Sequence, residues 1–150
     1  MTRHIAYVST AQPDLSAQCI DALLLDARTF NARIGVTGVL LYDGQRFFQY
    51  FEGTDYATDQ VMARILASQR HSAIHLLADG RHPGQQFDRW YMGFSHSPAT
   101  FIQHLENGSW QQTLYTLRQQ ANHCPALEAL NQFLDEQPAP ARIGQALTCP

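Results

Sequence analysis

The chain has 150 residues, 45% hydrophobic and 15% charged, which is typical of a single globular domain with its own core. Its formal net charge of -3 and its ten scattered Lys and Arg residues argue against binding to nucleic acid or to an anionic membrane. The three cysteines form no CxxC pair and no long apolar segment is present, so we expect a cytoplasmic protein without disulfides or a membrane span.

The first elements are predicted to be a strand and a helix. Residues 3–9 are rich in the Ile, Tyr and Val typical of strands. Asp14 or Ser16 is expected to cap the helix that follows Pro13. The helical pattern fades near Asn31, and its apolar stripe consists of Ile20, Leu23, Leu24 and Ala27.

A β-hairpin is predicted over residues 36–51. Its turn is Asp43-Gly44, a strong hairpin signal because both positions tolerate a positive φ. On the second strand Phe47, Gln49 and Phe51 share one face. An amide between aromatic side chains must find partners for its hydrogen bonds, so Gln49 is a candidate functional residue.

The rest of the chain is predicted to add a helix, two strands and a helical C-terminal part. Glu52, at the corner where the hairpin ends, is interpreted as a helix-capping carboxylate. The predicted elements are a helix ending near residue 69, strands at 73–78 and 87–94, and helices at 101–107, 110–122 and 127–134, with Gly108 and Pro125 between the helices.

The order β-α-β-β-α-β-β predicts an α+β, ferredoxin-like fold with two helices on one face of the sheet and a C-terminal helical extension. We expect a domain at 1–97, the helical extension at 98–137 and a flexible tail at 138–150. In this arrangement the strands that carry Tyr7 and Gln49 can be neighbours. A polar pocket between sheet and helices would then bring together Tyr7, Asn31, Gln49, Trp90 and Met92.

Familiar catalytic and metal-binding patterns are absent from the sequence. The seven histidines have no cysteine or carboxylate partners at ligand spacing, and no GxSxG, GxGxxG or Walker sequence occurs. We therefore predict no catalytic residues, no metal and no enzymatic activity. Each pocket candidate also has an ordinary interpretation, since Tyr7, Trp90 and Met92 can fill a core and Asn31 can end a helix.

Several stretches taken together resemble the BLUF family of flavin-binding blue-light sensors. They follow one another in unbroken order between about residues 3 and 95, and residues 98–150 resemble the helical extension of the short, stand-alone members. The stretches are Ile5 to Ser9, Ala27 to Asn31, Gly35 to Tyr42, Phe48 to Gly53, Arg70-His71, and Phe87 to Met92.

The resemblance implies a flavin between the two helices above the sheet, with Tyr7 as its redox-active tyrosine and Gln49 as the switching glutamine. Asn31 would bind the pyrimidine edge of the ring, and Trp90 and Met92 would exchange places near Gln49 or relay its state. The cofactor-binding residues implied are Tyr7, Leu23, Leu24, Arg28, Asn31, Gln49, Arg70 and His71, with Leu23 and Leu24 against the ring and Arg28, Arg70 and His71 at the ribityl-phosphate end. Phe30 departs from members that have a polar residue there.

The function implied is that of a blue-light photoreceptor that binds its flavin non-covalently. The resemblance alone favours FAD over FMN. The signal would pass through the last strand and the C-terminal helices to a separate partner protein, and exposed apolar faces of these helices would form a homodimer or a partner site. The alternative is a ferredoxin-like flavin- or ligand-binding regulatory module that does not respond to light.

Overall fold

The computed structural model describes residues 1–94, 98–119 and 124–136. Their element order agrees with the predicted one up to the last strand. The strands are β1 Thr2–Ala11, β2 Thr37–Tyr42, β3 Arg46–Gly53, β4 His71–His82 and β5 Trp90–Gly93. The helices are α1 Ala17–Arg33, α2 Asp55–Ala67, α3 Phe101–Gln119 and α4 Pro125–Glu136.

The strands form one mixed sheet in the order β4-β1-β3-β2-β5. β1 pairs antiparallel with both β3 and β4, whereas β5 lies parallel to β2 at the opposite edge. A parallel pair requires a crossover connection, and the chain between β2 and β5 supplies it through β3, α2 and β4. The predicted ferredoxin-like α+β fold with C-terminal helices is confirmed.

Each face of the sheet is covered by a different pair of helices. On one face Leu24 of α1 and Val61 of α2 pack in a cluster that includes Phe47 of β3. On the other face Trp110 of α3 and Phe133 of α4 belong to a cluster that includes Phe48, and the rings of Phe48 and Phe133 stack with centroids 4.9 Å apart. Because side chains alternate along a strand, Gln49 lies on the α1–α2 face, as predicted.

Three predicted boundaries are wrong for identifiable reasons. α3 continues through Gly108, because this position is open to solvent and a glycine there only weakens a helix. β4 extends well beyond the predicted 73–78, because it pairs with β1 from Thr2 to Ala11. β5 begins only at Trp90, because the backbone N–H groups of Gln86 and Phe87 are bound by the Glu52 carboxylate instead of a neighbouring strand. The predicted tail 138–150 and the predicted boundary at residue 97 lie outside the described residues.

The contact between β5 and α3 leaves no room for a side chain at Gly93. A Cβ atom there would lie 2.5 Å from the Trp110 ring and 2.7 Å from Leu41 Cδ2. We expect Gly93→Ala to lower the free energy of unfolding by about 1–3 kcal/mol, the usual cost of overpacking a core, as measured by urea denaturation. Gly108→Ala on the exposed side of α3 is the control and should raise it by about 0.5–1 kcal/mol. Equal effects of the two variants would contradict the described packing.

Candidate functional site

A cleft lies between α1, α2 and the sheet face that carries Gln49. Its floor comes from β1, β2 and β3, and its walls come from the two helices and the start of β4. The lining residues are Tyr7, Leu23, Asp26, Ala27, Phe30, Asn31, Leu40, Phe47, Gln49, Val61, Arg64, Ile65, Ser68 and His71. Most of this surface is apolar, so the few polar groups stand out as candidates for binding a ligand.

Tyr7 and Gln49 form the polar centre of the cleft floor. They are directly opposite each other in the β1–β3 ladder, and the Tyr7 hydroxyl donates a hydrogen bond to Gln49 Oε1. Tyr7 is 2% exposed and Gln49 is 4% exposed. Burial raises the pKa of Tyr7, so the phenol keeps its proton at neutral pH. The Gln49 amide NH2 is then the group left to donate to a ligand.

Asn31 supplies a second hydrogen-bond donor from α1. The side chain is buried, and its Nδ2 has no hydrogen-bond partner among the described residues. Asn31 does not cap the helix, because α1 continues to Arg33 and ends at Ile34. Buried amides are normally paired, so this unpaired donor in the cleft wall indicates an acceptor on a bound molecule.

His71 stands at the β4 side of the cleft with both ring nitrogens engaged by the protein. Nε2 lies 2.9 Å from the carbonyl oxygen of Ile65 and Nδ1 lies 2.7 Å from Ser9 Oγ. Because a carbonyl only accepts, Nε2 carries a hydrogen and donates it to Ile65. His71 therefore ties the end of α2 to β1 and shapes the cleft with its ring.

An ion pair between α1 and α2 was missed by the sequence analysis. Arg64 Nη2 lies 2.7 Å from Asp26 Oδ2, and its guanidinium lies 4.1 Å above the centre of the Phe30 ring. Asp26 follows Leu23 by three positions and so shares its side of α1. This spacing indicates that Asp26 can face the same cleft as Leu23, but a helix face defined only by its apolar residues does not include an aspartate.

Three of the predicted cofactor-binding residues do not line the cleft. Leu24 is fully buried in the core beneath α1. Arg28 points to α3, where its Nη1 lies 3.3 Å from Glu106 Oε1. Arg70 is exposed, and its carbonyl oxygen accepts from the backbone of Gln12. The structure thus brings together Tyr7, Leu23, Asn31, Gln49 and His71 of the predicted set.

Trp90 and Met92 lie on β5, beyond the strand that borders Gln49. Leu40 of β2 is opposite Gln49 on one side and beside Met92 on the other. Met92 is fully buried, and the buried indole Nε1 of Trp90 has no partner among the described residues. Both residues belong to the same core cluster as Leu40, so side-chain packing connects the cleft floor to the edge strand.

Glu52 does not cap a helix, contrary to the prediction. It lies within β3, 1% exposed, because strand pairing with β1 and β2 continues through this position. Its carboxylate accepts from the backbone N–H groups of Gln86 and Phe87 and from the hydroxyls of Thr37 and Tyr50. It fixes the segment that leads into β5.

The described residues contain no group of three or more His, Cys, Asp or Glu side chains placed to hold a metal ion. None of their helices is both long enough and apolar enough to span a bilayer.

Comparison with known proteins identifies one family. Residues 2–93 match the family described as sensors of blue light using FAD, BLUF. The alpha subunit of photoactivated adenylate cyclase from Euglena gracilis is 36% identical over 96 residues, which are 63% of this chain and 9% of that protein. The beta subunit from the same organism is 35% identical over 96 residues, which are 63% of this chain and 11% of that protein. The match thus spans about a tenth of these relatives.

Solved structures share the fold over most of the chain. BlrP1 from Klebsiella pneumoniae, solved with calcium and cy-diGMP, gives a TM-score of 0.70 at 24% identity and covers 91% of this chain and 34% of that one. The photo-activated state of BlsA gives 0.62 at 22% identity, covering 95% of this chain and 100% of that one. The likeness to BlsA includes residues beyond the family match, since that match ends at residue 93.

Proposed function

This chain belongs to the BLUF family of blue-light sensors that use a flavin, and on that premise we propose that it is a photoreceptor with FAD held non-covalently in the cleft. The observation that carries the proposal is the buried hydrogen bond from Tyr7 to Gln49, which lies on the cleft floor beside the unpaired amide of Asn31. An unpaired amide is costly inside a core, and a ligand that accepts from Asn31 Nδ2 would remove that cost.

The cleft residues fit a flavin ring. The isoalloxazine system is planar, with an apolar dimethylbenzene end and a polar edge of carbonyl oxygens and ring nitrogens. Asn31 Nδ2 and the Gln49 amide offer donors for that edge, whereas Leu23 and Val61 offer apolar walls. Arg64 is paired with Asp26 at the cleft, and it is the residue best placed for the ribityl-phosphate end, in preference to Arg28 and Arg70.

The proposed photochemistry uses Tyr7 as the donor of an electron and a proton. A flavin excited by blue light is a strong oxidant when bound. The Tyr7 hydroxyl hydrogen already points at Gln49 Oε1, so the proton has a path into the amide. Gln49 can both accept and donate, which lets it pass the proton on and rearrange. With the electron and proton returned to Tyr7, the rearranged Gln49 amide would be free to donate its N–H group to an acceptor on the bound flavin.

The proposed signal leaves through β5. Leu40 lies between Gln49 and Met92 in the sheet, so a change in the conformation of the Gln49 side chain alters the packing of Leu40. Densely packed side chains transmit such changes as discrete rearrangements. We propose that Trp90 and Met92 shift with them, and that α3 and α4 present the result to a separate protein or to a second copy of this chain.

The direct test is the absorption spectrum of the purified, FAD-reconstituted protein before and after blue light. We expect bound flavin, a small reversible shift of its absorption to longer wavelength, and recovery in darkness. Bound flavin whose spectrum stays unchanged under light would favour the alternative of a non-photoactive flavin-binding module. A protein that binds no flavin would contradict the proposal altogether.

A further inference from the structure

A buried carboxylate on α3 joins two arginines from distant parts of the chain. Glu106 Oε1 lies 3.3 Å from Arg28 Nη1 of α1, and Glu106 Oε2 lies 3.1 Å from Arg89 Nη2. The Glu106 side chain is only 11% exposed. A charge this buried is stable only when it is paired, so the two arginines hold α3 in a defined position.

Arg89, which binds Glu106, also contacts the first two residues of β5. Its Nη1 donates to the carbonyl oxygen of Trp90 at 3.2 Å, and its guanidinium lies 4.1 Å above the centre of the Tyr91 ring. The Arg89 carbonyl in turn accepts from the backbone N–H of Gly38 in β2. Any movement of the first residues of β5 therefore moves the guanidinium that Glu106 holds.

The other end of β5 is attached to the same side of α3 by different means. Gln103 Nε2 donates to the carbonyl oxygen of Gly93 at 2.6 Å, and Trp110 Nε1 donates to that of Phe94 at 2.8 Å. Residues 103, 106 and 110 share one helix face by their spacing. Gln103 and Trp110 are uncharged, so their hydrogen bonds to the end of β5 do not depend on the Glu106 charge. Of these contacts between α3 and the β5 segment, loss of that charge removes only the one with Arg89, at the start of β5.

We propose that Glu106 is a positioning residue of the photocycle, which couples α1 of the cleft and the start of β5 to α3 through Arg28 and Arg89. This inference rests on the proposed function, in which β5 shifts in light. The Arg28–Glu106–Arg89 bridge is made in the arrangement described here, so it stabilises that arrangement relative to one with β5 displaced. Loss of the bridge then favours the lit arrangement and slows recovery in darkness.

The test uses Glu106→Gln in the flavin-loaded protein. We expect the same dark spectrum and the same light-induced shift as in the wild type, because Glu106 does not line the cleft. Dark recovery at low salt should be about threefold slower than in the wild type, which is the effect expected from the loss of a partly exposed ion pair. Salt screens the half-exposed arginines, so recovery of the wild type should slow as salt is raised, whereas that of Glu106→Gln should not change.

The matched control is Asp135→Asn. Asp135 pairs with Arg118 at 2.8 Å and joins α3 to α4, so its variant also loses one carboxylate that anchors α3 but keeps the bridge to β5. It should recover at the wild-type rate with the wild-type salt dependence. Arg89→Gln is a second variant that removes the Arg89–Glu106 pair and should also slow recovery, and combining it with Glu106→Gln should add little because both variants remove that pair.

The outcomes separate this inference from the function on which it rests. A wild-type protein without a reversible light-induced shift would overturn both. A wild-type shift with unchanged recovery and salt dependence in Glu106→Gln and Arg89→Gln would overturn the coupling role of Glu106 and leave the photoreceptor standing. Equal slowing by Asp135→Asn would also overturn it, since any loosening of α3 would then suffice.

Discussion

Tyr7→Phe is expected to abolish the light-induced absorption shift while the protein still binds its flavin. The substitution removes the hydroxyl that donates to Gln49 Oε1 and leaves the ring that fills the cleft floor. Without that hydroxyl neither the proton nor its path into the amide is present. A positioned proton donor is worth about 10²–10⁴-fold in rate, so the yield of the shifted form should fall at least about a hundredfold, measured as absorbance change per absorbed photon.

Tyr42→Phe is the control for the loss of a tyrosine hydroxyl. The Tyr42 hydroxyl donates to the carbonyl oxygen of Gly44 in the hairpin turn and does not line the cleft. This variant should keep the full light-induced shift. A normal shift in Tyr7→Phe, or an equal loss in both variants, would contradict the role proposed for Tyr7.

Features that depend on local periodicity could be predicted from the sequence. Strand side chains alternate with a period of two, which placed Gln49 on the same face as Phe47 and Phe51 before any contact was known. The ferredoxin-like order then made β1 and β3 neighbours, and the structure sets Tyr7 opposite Gln49 in the ladder. The polar centre of the site thus follows from strand order and residue type.

Side-chain partners far apart in the chain could not be predicted in this way. Arg28 and Glu106 are 78 positions apart, and Arg64 and Asp26 are 38 apart. Long flexible side chains reach several neighbours, and which partner they take depends on how the helices cross, a quantity that no local pattern contains. The resemblance accordingly implies a phosphate partner for Arg28, whereas its guanidinium contacts Glu106 of α3.

The partners of the buried Glu52 carboxylate could not be predicted from the sequence either. Its position between a predicted strand and a predicted helix favours helix capping, because a carboxylate is stabilised near a helix N-terminus. The structure instead gives it partners that lie about 35 residues later, at Gln86 and Phe87. Two backbone donors and two hydroxyls satisfy the carboxylate, so its burial is explained by tertiary contacts, two of which are made with the segment that leads into β5.

Gln49→Leu is expected to abolish the shift for a different reason from Tyr7→Phe. Leucine has a similar size and preserves the packing against Leu40, but it neither accepts from Tyr7 nor donates to a ligand. The Tyr7 hydroxyl loses its acceptor, which should lower the free energy of unfolding by about 1–3 kcal/mol in urea denaturation. The flavin should remain bound through Asn31 and the apolar walls, and the visible spectrum should be the same in light and darkness.

Gln49→Glu separates the two functions of the amide. A carboxylate can still accept from Tyr7 but has no N–H group to donate when ionised, so transfer from Tyr7 stays possible and the new hydrogen bond to the flavin does not form. We expect Gln49→Glu to lose the red shift as Gln49→Leu does, and also to lower the free energy of unfolding, because the carboxylate is buried at this position. Gln45→Leu, an exposed position in the hairpin turn, should behave as the wild type. A full, reversible red shift in Gln49→Leu would show that the signal does not originate in this amide.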